Sequence, residues 1–183
     1  MRTTFSQQRF EFTKRAHLAA QAQFYPRMFR NGVAFEDTTK TTHDLDYAID
    51  CLLSVTAPGF RAPIPLSVQE RFRQPHEMHW GDVTITEWNL ASNQPSELHK
   101  LGAQMFVYGF YDENRNEIIC AVAVDVALLQ WGLAHNALDY ERRSRGDQHF
   151  IALRYEALKR FGAILFECDV HLWTGAWEAN HKK

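Results

Sequence analysis

Apolar residues recur at helical spacing near the start of the chain, at Phe5, Phe12, Ala16, Ala19, Ala20 and Phe24. The stretch is rich in Gln, Ala and Arg, so a helix is predicted over residues 5–29. Pro26 and then Asn31-Gly32 end it. The polar segment 36–46, EDTTKTTHDLD, is predicted as loop. From Tyr47 to Val55 the period becomes two, with both faces largely apolar, which predicts an interior strand. A second strand is predicted over 64–73, with Leu66, Val68, Glu70 and Phe72 on one face and Ser67, Gln69, Arg71 and Arg73 on the other. Pro63 and Pro65 keep its start out of a fully paired position. A third strand follows at Asp82–Trp88, then a helix from about Ser96 to Gln104. Phe106–Tyr111 and Glu117–Val124 pattern as a hairpin. After it come a short apolar helix (Asp125–His135), a charged loop (139–148), a strand (Phe150–Arg154), a helix (Tyr155–Phe161) and a strand (Ala163–Glu167). The tail, HLWTGAWEANHKK, is expected to be loose. The alternation predicts an α/β fold, a mixed central sheet flanked by helices.

Composition narrows this. With 183 residues, 45% hydrophobic and 13% aromatic, the chain can bury a full core, and one domain over 1–183 is expected. Lys plus Arg is 20 against 22 for Asp plus Glu, a net charge of -2, so attraction to nucleic acid must come from local clustering. Cys51, Cys120 and Cys168 are far apart in apolar runs, which reads as reduced core cysteine rather than a disulfide framework or zinc knuckle. There is no apolar signal segment and no run near membrane-spanning length, so a cytoplasmic protein is expected.

The chemistry concentrates on two strands. Asp50 lies in an otherwise apolar strand, where an ionised and unpaired carboxylate costs several kcal/mol. It needs a cation, either a metal or a guanidinium from Arg71 or Arg73. Gln69 and Arg71, at i and i+2, project together. A carboxylate, a carbonyl-bearing side chain and a cation on neighbouring strands can hold Mg²⁺ or Mn²⁺ against a phosphodiester. Glu70 shares the apolar face and is expected to pair with Lys100 or Arg9. Arg73, Lys100, Arg142 and Arg143 are the candidate phosphate contacts, Arg145 extending the last cluster; a solvated face is the alternative. His76-Glu77-Met78-His79 lacks zincin spacing and is read as loop. His43 is read as loop, Glu97 as a first-turn carboxylate suiting the helix dipole, and Asp125 as an N-cap. Trp131, Trp173 and Trp177 are core or tail aromatics by default, with base stacking the alternative.

Asp50 and Gln69-Glu70-Arg71, set in 44–112, resemble the motifs of the PD-(D/E)XK nuclease superfamily. That family carries an Asp on one core strand and an acidic residue, any residue, then Lys on the next. Gln stands at the acidic position in some members. The resemblance implies a restriction-endonuclease-like core over about 44–125, a strand–strand–strand–helix–strand succession. It implies a metal held by Asp50, Gln69 and the Glu70 carbonyl, with catalysis by Asp50, Gln69 and Arg71. It implies hydrolysis of nucleic acid, DNA ahead of RNA. Two departures stand out. Gln brings no charge unless Glu36, Asp46 or Glu70 helps, and Arg cannot act as a general base, although it can orient water or clamp phosphate. A catalytically degenerate member that binds nucleic acid or a protein partner is the alternative. Gln104-x-x-x-Tyr108 resembles a helix pair of exonuclease-like branches. Strand-rich edges and exposed aromatics suggest a homodimer.

Overall fold

The computed structural model describes residues 5–38 and 41–174, with side chains from Gln7 onward. Helix α1 (Phe5–Gln23) and a single turn α2 (Tyr25–Met28) occupy the predicted helical stretch. The side chain of Phe5 lies outside the described residues. Strand β1 (Val33–Asp37) runs into the segment expected as loop, and helix α3 (Thr42–Tyr47) takes up its later part and Tyr47, the first residue of the expected strand. Consequently β2 is shorter than its alternation suggests, spanning Cys51–Val55, with Asp50 just before it. Ala48 ends α3 in the left-handed region and turns the chain into β2. Strand β3 (Ile64–Arg73) has the predicted bounds. Its proline-bearing start pairs with β2, and β6 joins its other side only from Val68 onward.

Strand β4 (Asp82–Asn89) exists as predicted but leaves the sheet. It pairs with β5 (Gln94–Pro95) and β9 (Gln148–Arg154), and β9 pairs with β8 (Tyr140–Arg145). The charged 139–148 segment is therefore a hairpin, not a loop. Its arginines and glutamate hid an exposed edge strand, whose side chains need no apolar alternation. Helix α4 is one turn (Glu97–Lys100) and stops before Gln104. Gln104 instead precedes β6 (Met105–Asp112), where its Oε1 accepts the Ser67 N–H at 3.0 Å, while Tyr108 lies within β6. The two never share a helix.

The main sheet is mixed and six-stranded, in the order β1-β2-β3-β6-β7-β10, with β7 spanning Glu117–Asp125 and β10 Ile164–Cys168. β1, β2 and β3 are antiparallel, β3 and β6 are parallel, and β7 runs antiparallel to both β6 and β10. Helix α5 (Val126–Ala134) follows β7, and Asp125 caps it by accepting the Leu128 N–H, as expected. Helix α6 (Tyr155–Phe161) leads into β10.

Two cores result. On the back of the main sheet, Cys51, Leu53, Val68, Met105, Val107 and Ala121 meet Ala16, Ala19, Ala20 and Phe24. The alanines let α1 approach the strands closely. On the front, Phe106, Tyr108, Phe110 and Val122 cluster with Val83, Ile85, Ile151 and Leu153 of the second sheet and with Leu158 and Trp173. Trp173 is 1% exposed, so the start of the tail is core, whereas Trp177 lies outside the described residues. Trp131 is exposed and stacks on His135. The three cysteines are free and buried, as expected. No described helix is long and apolar enough to cross a membrane.

Gly109 of β6 shows how tight the back layer is. A Cβ there would stand 2.7 Å from Ala121 Cβ and 2.8 Å from the Cys120 carbonyl. Gly109→Ala is expected to lower stability by about 1–3 kcal/mol, measured by urea unfolding, through overpacking.

Candidate metal and phosphodiester site

The faces of β3 separate its polar residues. Leu66, Val68 and Phe72 point into the back core, and the Glu70 carboxylate goes with them. Gln69, Arg71 and Arg73 point forward, where β4 and α4 meet them. The predicted alternation is correct. The solvated face offered as the alternative for Arg73 is not what forms, because the second sheet covers that side of β3.

Asp50 stands at the mouth of β2. Its N–H donates to the Val68 carbonyl at 2.8 Å, and its Oδ2 accepts the Glu70 N–H at 2.7 Å. The register, with Cys51 opposite Val68, sets Asp50 against Gln69. Burial pushes the Asp50 carboxyl up to about 8; the Glu70 N–H opposes this, and the charges of Glu70, Asp44 and Glu97 add to it. A carboxyl in that state binds either a proton or a cation.

Gln69 is 8% exposed. Its Nε2 donates to Glu97 Oε1 at 3.1 Å and to the Glu70 carbonyl at 3.3 Å. Rotating the amide would put its oxygen against a carboxylate and a carbonyl, so the chemistry of the neighbours fixes its orientation. Oε1 is then a buried acceptor with no hydrogen-bond partner. Buried polar groups in native proteins rarely lack a partner, and those that do call for an ion, a water or a ligand.

Glu97 completes the group. It is 8% exposed, its Oε2 accepts the Thr86 N–H at 3.1 Å, and it forms an ion pair with Arg71 Nη2. Arg71 Nη2 also donates to Thr86 Oγ1 at 2.8 Å, and Arg73 Nη2 to Thr84 Oγ1 at 2.9 Å. Burial pulls the Arg71 guanidinium down and the Glu97 charge holds it up. The carboxylate that meets Gln69 is therefore Glu97, whereas that of Glu70 lies on the back face. Sequence reading placed Glu97 only as a first-turn carboxylate. It lies 28 positions from Gln69, on an element of the second layer, and no spacing signals that contact.

The remaining candidates lie elsewhere. The Glu70 carboxylate binds His17 and Tyr25 on the back face, not Lys100 or Arg9. Lys100 Nζ donates to the Leu45 carbonyl at 2.9 Å. Arg142 pairs with Glu87, Arg143 with Asp82 and Glu141, and Arg145 with Glu77, so the basic cluster is laced with carboxylates. His79 Nδ1 bonds the His76 carbonyl inside a 3-10 turn, Pro75–Trp80, and His43 lies in α3.

No family model and no curated protein matches this sequence. Among solved structures, D212, a nuclease from a fusselovirus, aligns over 100% of this chain and 96% of its own, at 9% identity and a TM-score of 0.38. Similarity at that level lends no residue and no activity to this chain.

Proposed function

We propose that this protein is a metal-dependent nuclease that hydrolyses phosphodiester bonds of nucleic acid, with DNA the expected substrate. The observation that carries the reading is the unpartnered, buried Gln69 Oε1 set against Asp50, whose carboxyl is starved of positive charge. The donors are oxygens, which suits Mg²⁺ or Mn²⁺. Asp50 and Gln69 would hold the ion, with Glu97 supplying negative charge beside it. The Glu70 carbonyl is a weaker member, because the Gln69 amide already caps it. When bound, the cation polarises the phosphodiester and offsets the charge that develops in attack.

The chain's own groups then divide the work. Asp50 is oriented by the Glu70 N–H, which leaves its second oxygen free of that bond. Glu97 takes the amino group of the Gln69 amide, which leaves the Gln69 carbonyl oxygen without a protein partner. Arg71 is a positioning residue: it holds Glu97 against the sheet and cannot take a proton from water. The expected strand–strand–strand–helix–strand core over 44–125 does not form as such, because β4 joins the second sheet and α4 is one turn; what remains of it is the antiparallel β2–β3 pair followed by the parallel β6.

Purified protein incubated with DNA and with RNA, with Mg²⁺ or Mn²⁺ and with chelator, tests the reading. Asp50→Ala is expected to lower metal-dependent cleavage at least about 100-fold, because a Lewis-acid contribution of several kcal/mol is lost. Arg142→Ala, paired with Glu87 at the surface, is expected to cleave like the wild type. Equal cleavage by both variants removes the assignment.

One observation favours the second reading, a degenerate member that binds nucleic acid or a partner without cutting. Arg71, at the position of the family lysine, is closed off by Glu97 and Thr86. Under this reading calorimetry shows no heat of Mn²⁺ binding at millimolar metal, while DNA still binds.

A further inference from the structure

The back of the same strands carries a different set of donors. His17 of α1, Cys51 of β2 and Glu70 of β3 bring an imidazole nitrogen, a thiol sulfur and a carboxylate oxygen within 4.8 Å of one another. His17 Nδ1 is 2.7 Å from Glu70 Oε2, and the Tyr25 hydroxyl donates to Glu70 Oε1. Cys51 and Tyr25 are fully buried and Glu70 is 7% exposed. The outward side is the His17 side chain, 13% exposed, which leaves a path to solvent. Asp37 adds negative charge toward the cluster. Three donors on three packed elements, in a negative and mostly dry setting, favour a cation held by rigid scaffolding.

We propose that His17 Nδ1, Cys51 Sγ and Glu70 form a binding site for a thiophilic divalent metal, Zn²⁺ by preference. Sulfur and imidazole select zinc over magnesium, so this site is chemically distinct from the all-oxygen group on the front. Zinc with three protein ligands keeps a fourth position, and the Tyr25 hydroxyl or a water lies at hand for it. With bonds of about 2.0–2.3 Å, tetrahedral ligands stand roughly 3.3–3.8 Å apart. The donors lie within 4.8 Å of one another, so shifts of about 1 Å or less reach that spacing, the 2.7 Å His17–Glu70 contact opening.

Binding breaks the S–H bond and the Nδ1–H bond that points at Glu70. The thiol proton passes to solvent as the sulfur–metal bond forms; the Nδ1 proton also leaves to solvent, directly from an imidazolium or with uptake of a solvent proton at Nε2 from the neutral ring. Metal on Nδ1 requires the remaining imidazole hydrogen on Nε2. Gln21 Nε2 lies 2.7 Å from that nitrogen, and rotation of the Gln21 amide presents its oxygen to accept the hydrogen. Gln21 is thus the outer partner that fixes the tautomer. An ion here would pin α1 to β2, which follows Asp50 directly, and to β3, which carries Gln69 on its other side.

The test uses the full chain, reduced and stripped of metal, titrated with Co²⁺. The expected result is a sulfur-to-cobalt charge-transfer band with visible bands of four-coordinate cobalt, saturating at one equivalent and erased by Zn²⁺. Magnesium at the front site produces neither band. Cys51→Ser is expected to lose the charge-transfer band while Cys120→Ser retains it. Gln21→Ala is expected to weaken cobalt binding about 10–100-fold. Should Cys51→Ser fail to fold, His17→Gln, at the partly exposed position, serves instead and is expected to weaken binding at least tenfold. Absence of the band in the wild type, its persistence in Cys51→Ser, or undiminished affinity in His17→Gln overturns the proposal.

Discussion

Glu97→Ala is expected to destabilise the folded chain by about 3–5 kcal/mol, the range for removing one partner of a buried ion pair. Glu97 accepts from the Gln69 amide, from the Thr86 N–H and from Arg71. Truncation leaves Arg71, whose side chain is only 20% exposed, without its counter-charge, and leaves two more donors unmatched. Leaving a buried donor unsatisfied costs about 1–3 kcal/mol by itself, so the loss exceeds that of any single surface ion pair in the molecule. Urea unfolding of Glu97→Ala, Arg71→Met and the double variant measures the coupling. The double variant is expected to recover the part of the loss that comes from the stranded guanidinium, while the part from the unmatched Gln69 and Thr86 donors remains. A loss below about 1 kcal/mol in Glu97→Ala would place the pair in solvent and contradict the geometry.

The second large effect is on the pH dependence of stability. The Asp50 carboxyl titrates near 8 in the folded chain, against an ordinary 3.8. Between those values the folded chain holds a proton that the unfolded chain has released. Stability therefore falls as pH rises through that window, and the penalty is complete above the folded value. Asp50→Asn cannot ionise, yet its side-chain oxygen can still accept the Glu70 N–H. The variant is expected to match the wild type near pH 4 and to exceed it by a few kcal/mol near pH 8, since each pKa unit corresponds to about 1.4 kcal/mol. Thermal or urea unfolding of both proteins across that range reads the difference. Under the proposed function, Mn²⁺ narrows the gap at pH 8, because the ion stabilises the ionised wild type and has less to bind in the variant. A difference that stays flat with pH would show that Asp50 remains ionised throughout and already has a cation partner within the protein.

Both predictions rest on residues that differ in how they announced themselves. Asp50 stood out because a carboxylate among apolar strand residues is costly, and Gln69 and Arg71 because alternation places them on one face. That much needs only local periodicity. Glu97 was invisible for the opposite reason. It looked like an ordinary first-turn carboxylate, and its contact to Gln69 exists only because the chain crosses from one sheet to the other between them. Glu70 was misjudged on the same account. Its face was read correctly, but its partner was sought among charged residues when the neighbours were a histidine and a tyrosine of the first two helices.

The chain's periodicity alone determined the mixed α/β character, the bounds of β3, the β6–β7 hairpin, the Asp125 cap and the reduced cysteines, because each depends on residues close in sequence or on burial of one type of side chain. Tertiary structure decided the rest: which sheet β4 joins, that 139–148 pairs as a hairpin, that the Arg142 and Arg143 cluster is neutralised by carboxylates, and that an anion for Gln69 arrives from α4. Pairing partners across sheets are set by which layers cover which faces. A one-dimensional pattern records that a face must be covered, not what covers it.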